Sequence, residues 1–553
     1  MKKQISLRTA LFIAVIAVLI GVITTKVISG DTIFDQLNKF KDVLSLTDKY
    51  YVEEVDSKKL TEAAITGLLS QLDPHSVYMP AVTTAAEAER FQGSYQGVGM
   101  QIASLNDTIT VVEPMGGGPA AALGILSNDR IVKINDSTAV GLTTAQASSK
   151  LRGPKGTRVH VTIVRSSEKD PLEYEITRDI ISLTSIDASF MLNTDIGYVS
   201  LNRFSATTTQ EMTDALTKLQ ASGMKRLVLD LRGNPGGYLN QAVQVADLFL
   251  SGGKETSPHT IVYTKGRVRE FEESYAAVDG QPFEKTPVII LINNASASAS
   301  EIVSGAIQDW DRGLIVGETS FGKGLVQRQW GLSDGSSVRL TIAKYYTPSG
   351  RLIQRSYTGK DRDQYRNEAF QRNEKEGENL QHSRDSGSTK DSSAAKFKTG
   401  AGRIVYGGGG ITPDYIIKPL DLTVYTENLL RRDLFFPFVS SYLDEAGKDI
   451  RSKYSTQRQS FMESFQVTDE MMGEFKNFLI KKEVKIDEDS LKVDLAYYKA
   501  RLKGYVARSL FGNEGWYSVL LSVDTQLQKA VKLFPEAEKI AGLATNRKGK
   551  SSD

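Results

Sequence analysis

The chain has 553 residues, too many for one compact domain, and 40% hydrophobic content is enough to build several cores. Its 68 Lys and Arg nearly cancel 66 Asp and Glu, leaving +2 with no concentrated basic stripe, which argues against a nucleic-acid binder. There is no cysteine, so disulfides and thiolate chemistry are excluded; His75, His160, His259 and His382 show no metal-ligand spacing, so no metal or cofactor is expected.

At the start, Lys2, Lys3 and Arg8 precede an uncharged run from Thr9 to Thr25. Its length is near the lower limit of ~17 residues for a membrane-spanning helix. Charges ahead of the run favour an N-inside orientation. Residues 1–8 are therefore expected in the cytoplasm, 9–28 as an inner-membrane anchor, and the remainder exported to the periplasm. A cleaved signal peptide is the competing reading, although no A-x-A site follows the run.

Ile33, Leu37, Phe40 and Leu44 recur at helical spacing, and helices are expected through residues 31–92. Ordinary core packing is the expected fate of that stripe, with a dimerisation face as the alternative. Residues 93–178 change to short β-like runs. Tyr95–Ile102 reads as a Gly-rich turn entering a strand, Thr143–Leu151 as a small helix, and Arg158–Val164 as a closing strand. The size and order suit a small, partly open barrel.

Across residues 180–425, strands and helices alternate. Gly197–Leu201, Leu227–Leu231, Val288–Ile292 and Leu314–Val316 read as strands, with helices at Thr207–Gln220, Leu239–Leu250 and Ala299–Gln308. That βαβα order implies a largely parallel, covered sheet. Residues 358–402 interrupt it with a polar stretch whose first forty-odd positions hold no Ile, Val or Met, and a flexible surface insertion is expected. Residues 426–545 read as helical, with Leu495, Tyr498, Leu502 and Tyr505 on one face, and 546–553 as a polar tail.

The strongest chemical candidate is Asn293–Glu301, a Ser-rich stretch where a buried strand turns into a helix. Ligands gather at the carboxyl ends of such strands, and a helix N-terminus offers free N–H groups to a developing oxyanion. A plain Ser N-cap with Glu301 in the first turn is the alternative. A nucleophilic serine needs a base. Lys323, flanked by Gly322 and Gly324, is the better partner, because a desolvated lysine can lose its proton. Gln327, four residues on, is placed on the same strand face as Lys323 and could hold the amine. The turn Asp230–Gly237 exposes backbone N–H groups suited to an oxyanion hole; a phosphate-binding turn is the rival, but the dinucleotide spacing and a Walker lysine are missing.

Together these stretches resemble the C-terminal processing, or tail-specific, proteases: S41 serine peptidases with a Ser–Lys dyad and a PDZ domain. Leu72–Ser76, Gly97–Gly99, Arg152–Gly156, Asp230–Gly237, Ser296–Glu301, Phe321–Gln327 and Tyr406–Gly410 run in family order over roughly residues 35 to 420. The resemblance implies Ser298 as nucleophile, Lys323 as general base and Gln327 as its support. It implies an oxyanion hole from the N–H of Gly236 or Gly237 with that of Ala299. It also makes residues 93–178 a PDZ domain whose loop Gly97, Val98, Gly99 and Met100 binds a substrate carboxylate.

The expected fold is thus α/β and multidomain. A helical N-terminal region is followed by a PDZ domain, a protease core with a ClpP/crotonase-like sheet, and a helical C-terminal region. The implied partners are protein substrates held by their C-terminal tails, an adaptor or activator protein, the membrane through the anchor, and a second copy through the terminal helices. A non-catalytic PDZ scaffold and an acyl-CoA enzyme are the rivals. The joint presence of Ser298, Lys323 and Gln327 weighs against the first, and the export signal against the second.

Overall fold

The computed structural model describes residues 33–254, 256–375, 377–378 and 395–543. The expected anchor, the tail 546–553 and residues 379–394 of the insertion lie outside the described residues. Among the described residues, no helix is long and apolar enough to cross a membrane.

The chain divides into two units, the first ending at Tyr78. That unit carries the helices Ile33–Tyr50 and Ser57–Ser70, the second capped by Asp56, whose carboxylate accepts from the N–H groups of Lys58 and Lys59. The apolar stripe does not form a core as expected. Ile33 is 80% exposed and Leu37 60%, and no residue of the first helix is buried. Helical periodicity marks a face that could be buried but supplies no partner for it. Downstream, Asp73 ties the Leu72–Ser76 turn by accepting from the N–H groups of His75 and Ser76 and the hydroxyl of Ser76.

The second unit opens with the helix Ala81–Gln92. The PDZ-like sheet then runs Met100–Leu105, Thr108–Pro114, Arg130–Ile134, Arg158–Val164 and Leu172–Thr177 in spatial order. Arg158–Val164 is therefore not the closing strand, because Leu172–Thr177 pairs with it along its whole length. The helix Thr144–Leu151 begins with a capping box in which Thr143 and Gln146 satisfy each other's backbone N–H groups.

The α/β core is built on a six-stranded sheet ordered Ile186–Met191, Ile196–Leu201, Arg226–Asp230, Val288–Ile292, Leu314–Gly317 and Tyr415–Ile416. Only the first pair is antiparallel. The central strands are continuously apolar because both faces are covered. Leu227, Leu229, Val288 and Ile290 face Met212, Leu216, Val245, Val303 and Ile307 of the helices on one side. Val228, Ile289 and Leu291 face Leu527, Ala530, Phe534 and Ala537 on the other. Each buried Val, Leu, Ile, Met or Phe among them contributes about 1.5–3 kcal/mol.

The C-terminal region divides in two. Helices from Val424 to Leu520 enclose their own core around Phe435, Phe438, Phe475, Tyr498 and Leu502, whereas Leu495 stays 39% exposed. The helices Thr525–Ala530 and Phe534–Ile540 instead complete the second layer of the six-stranded sheet. The insertion also departs from expectation, since residues 362–375 form a helix that buries Tyr365 and Ala369. Two apolar positions one turn apart are enough to seat an otherwise polar helix.

Candidate active site

Val288–Ile292 ends in the turn carrying Ser296, Ser298 and Ser300, and the helix Ala299–Asp309 follows. The three serines differ. The Ser296 hydroxyl donates to the carbonyl of Leu231 and accepts from the N–H of Asn293, and the Ser300 hydroxyl donates to the carbonyl of Asn234; both residues are fully buried. Ser298 is half-buried and sits at φ 55°, ψ −113°, a conformation that costs a non-glycine residue about 1–3 kcal/mol.

Lys323 lies in the segment between the strands Leu314–Gly317 and Leu325–Gly331, and its amine donates to Oε1 of Gln327 at 2.8 Å. The contact expected from strand alternation exists, but its cause differs. Lys323 precedes the strand, so strand alternation does not place it, and its amine reaches Gln327 from the irregular segment ahead of Leu325.

Two buried side chains join the Ser298 and Lys323 backbones. The Glu301 carboxylate accepts from the N–H of Ser298 at 2.8 Å and of Lys323 at 2.9 Å. It also accepts from the N–H of Gly322 (2.6 Å) and the hydroxyl of Ser320 (2.5 Å). On the carbonyl side, the Tyr345 hydroxyl faces the oxygens of Ser298 (3.0 Å) and Lys323 (2.6 Å). Burial pushes the Glu301 carboxyl above the ordinary glutamate range, while its donors pull the other way. Burial and the neighbouring Glu301 charge push the Tyr345 phenol well up, so it remains a proton donor.

Sequence reading missed both residues. Glu301 follows Ser298 at S-x-x-E capping-box spacing, so its helix-cap signal hid a second task. Tyr345 is one of two adjacent tyrosines at the end of the strand Ser337–Tyr346 and carried no signal.

Of the two glycines expected at the oxyanion position, Gly236 is corrected. Its N–H is taken by Oδ1 of Asn234 at 2.9 Å. Among the described residues, the N–H groups of Gly237 and Ala299 donate to no acceptor. Gly236 supplies close approach instead: a Cβ there would lie 2.8 Å from both Ala299 N and Ser298 Cβ. Asn234, fully buried, also donates to the carbonyl of Leu201 and so locks the turn to the neighbouring strand. Beside the turn a cavity of about 360 Å³ is lined by Arg90, Phe91, Arg203, Phe204, Gly236 and Gly237.

Arg232, in the same turn, binds Asp230 and is held from the C-terminal region by Asp524 (2.7 Å) and Gln526 (2.8 Å). In the PDZ-like domain, Val98 and Met100 are buried and Gly99 adopts φ 74°, where a side chain would be strained. Gly97 ends the strand Ser94–Gly97, and Met100 opens the edge strand, alongside the helix Thr144–Leu151. This loop is remote in sequence from the Ser298 turn and forms no part of it.

Residues 195–364 match the Peptidase family S41 description and residues 110–165 the PDZ domain. Residues 22–83 match the activating protease CtpB N-terminal domain, and 425–512 a family of unknown function, DUF8443. A carboxy-terminal-processing protease of Bartonella bacilliformis is 40% identical over 325 residues, covering 58% of this chain and 73% of the relative. The carboxy-terminal processing protease CtpA of Bacillus subtilis is 35% identical over 59% of this chain and 67% of its own. A probable CtpA-like serine protease of Staphylococcus aureus is 35% identical over 63% and 69%. Among solved structures, a photosystem II D1 C-terminal processing protease shares 29% identity over 57% of this chain and 89% of its own, with a TM-score of 0.31.

Proposed function

The chain belongs to the carboxy-terminal processing protease family of serine-type peptidases, and on that premise we propose that Ser298 and Lys323 form its catalytic dyad. The supporting observation is the shared anchoring of both residues: one carboxylate accepts from both N–H groups and one hydroxyl faces both carbonyls. Such a pair is held in fixed register by groups that take no part in bond making.

In the proposed reaction the neutral Lys323 amine takes the proton from the Ser298 hydroxyl as its oxygen attacks the scissile carbonyl. Gln327 orients the amine. The N–H groups of Gly237 and Ala299 receive the oxyanion. Collapse of the tetrahedral intermediate breaks the C–N bond, and Lys323 returns the proton to the leaving amine. Water then hydrolyses the acyl-enzyme by the same proton route, restoring the free serine.

Substrate choice is assigned to the PDZ domain. The loop Gly97–Met100 offers N–H donors to a C-terminal carboxylate, and the edge strand Met100–Leu105 adds the tail as a further strand. The basic residues ahead of the Thr9–Thr25 run support anchoring in the inner membrane with the catalytic region in the periplasm. An adaptor or activator, and a second copy through the terminal helices, complete the proposed partners.

Ser298→Ala is expected to abolish cleavage of a tail-bearing protein while leaving the circular dichroism spectrum unchanged. Lys323→Arg is expected to be equally inactive, since arginine does not give up its proton at usable pH. Full activity in either variant would eliminate the dyad.

A further inference from the structure

The segment 319–324 that carries Lys323 has no regular secondary structure, so its position is set by external hydrogen bonds. Its N–H groups are held from the core, those of Gly322 and Lys323 by Glu301, and that of Phe321 by the carbonyl of Ser296. Its early carbonyls are held from elsewhere, by the helix Arg362–Lys375 in the polar insertion.

Arg372 is the centre of that grip. Its guanidinium donates to the carbonyls of Ser320 (2.5 Å) and Thr319 (3.3 Å), and to that of Gly409 (2.5 Å). Seven residues earlier on the same helix, the Tyr365 hydroxyl reaches the carbonyl of Gly322 at 3.3 Å and accepts from the Gln354 amide at 2.8 Å. Gln354 in turn accepts from the N–H of Gly324 at 2.8 Å. Arg355 lies between rings, 4.8 Å from the centroid of Phe321 and 4.2 Å from that of Tyr365, and donates to the Tyr365 carbonyl at 2.7 Å.

We propose that this helix is a positioning element for catalysis, with Arg372 and Tyr365 setting the placement of Lys323 relative to Ser298 through the backbone of residues 319–322. The proposal rests on Lys323 being the general base. A planar guanidinium spans three carbonyls in fixed directions, which a flexible ammonium cannot do. Releasing them frees a mostly buried segment whose displacement by about 1 Å costs on the order of 10²-fold in rate. The helix does not line the cavity beside Gly236, so its effect falls on turnover and not on substrate binding.

The test uses the full chain and a fluorogenic tail peptide, with kcat, KM and Tm measured for Arg372→Met, Arg372→Lys and Tyr365→Phe. Arg372→Met is expected to lower kcat about 10- to 100-fold with KM within about twofold. Arg372→Lys is expected to recover part of that loss. Tyr365→Phe removes one hydroxyl only and gives a smaller fall in kcat, which keeps the test valid if Arg372→Met fails to fold. A kcat within twofold of wild type in both Arg372→Met and Tyr365→Phe overturns the proposal, as does a rise in KM at unchanged kcat. If Lys323→Arg is inactive while these variants turn over normally, the positioning role alone fails. If Lys323→Arg is itself active, the dyad fails and this inference with it.

Discussion

Replacing Glu301 with glutamine tests the shared anchor with almost no change in shape. Glutamine keeps one acceptor oxygen and substitutes an amide that donates. One carboxylate oxygen serves Ser320 and Gly322, the other Ser298 and Lys323. Either orientation therefore points an NH₂ at N–H or O–H donors and breaks two bonds to a charged acceptor, each about 1.5–3 kcal/mol. The gross loss is about 3–6 kcal/mol, offset in part because a neutral amide is cheaper to bury than a carboxylate. If half reaches the transition state, kcat falls about 10- to 100-fold, at tenfold per ~1.4 kcal/mol. KM should hold within about twofold, because Glu301 is fully buried and does not line the cavity. Stopped assays with a fluorogenic tail peptide would give kcat and KM, and calorimetry the Tm. Wild-type kcat in Glu301→Gln would refute the anchoring argument, because two of the four bonds that tie the Ser298 turn to the Lys323 segment would have been lost without consequence. Protonation should act in the same way. The Glu301 carboxyl is raised in the fold, so its proton binds more tightly there than in the unfolded chain. Its contribution to stability is therefore greatest at low pH and falls as pH rises through the folded value. Activity should accordingly show an acid limb above the ordinary glutamate range, without a parallel fall in Tm attributable to this group.

Gly236→Ala should lower kcat by roughly 10²-fold or more, read in the same assay, because a Cβ 2.7 Å from the Ala297 carbonyl must push the serine turn away. Asp524→Asn should lower Tm by several degrees by weakening the hold on Arg232, corresponding to about 1–3 kcal/mol; an unchanged Tm would detach the C-terminal region from the turn. Amidating a substrate's C-terminus should raise KM in the full chain and change little once residues 93–178 are deleted. Equal rates for acid and amide in the full chain would remove tail recognition by the PDZ loop.

Local pattern in the sequence was enough to single out most of the residues proposed as catalytic. Ser298 follows a continuous apolar strand, Lys323 is bracketed by glycines, and Gly236 and Gly237 close a turn at the end of another buried strand. Each signal is carried by neighbours in the chain, through strand period, helix start and turn chemistry. The paired PDZ strands and the α/β alternation were legible for the same reason. Contacts across long sequence separations were not. Glu301 meets Lys323 across 22 residues, Tyr345 meets Ser298 across 47, and Asp524 meets Arg232 across 292. Composition likewise marked the insertion as too polar to order, yet Tyr365 and Ala369 seat its first helix on a surface that only the folded core provides. The converse holds for the stripe from Ile33 to Leu44, whose pattern promised a core that the fold does not supply. Hydrophobic period determines which face of an element seeks burial; tertiary structure decides what meets it. That is why Ser298 and Lys323 could be put forward from sequence as nucleophile and base, while the Glu301 carboxylate and Tyr345 hydroxyl that join their backbones emerged only from the assembled fold.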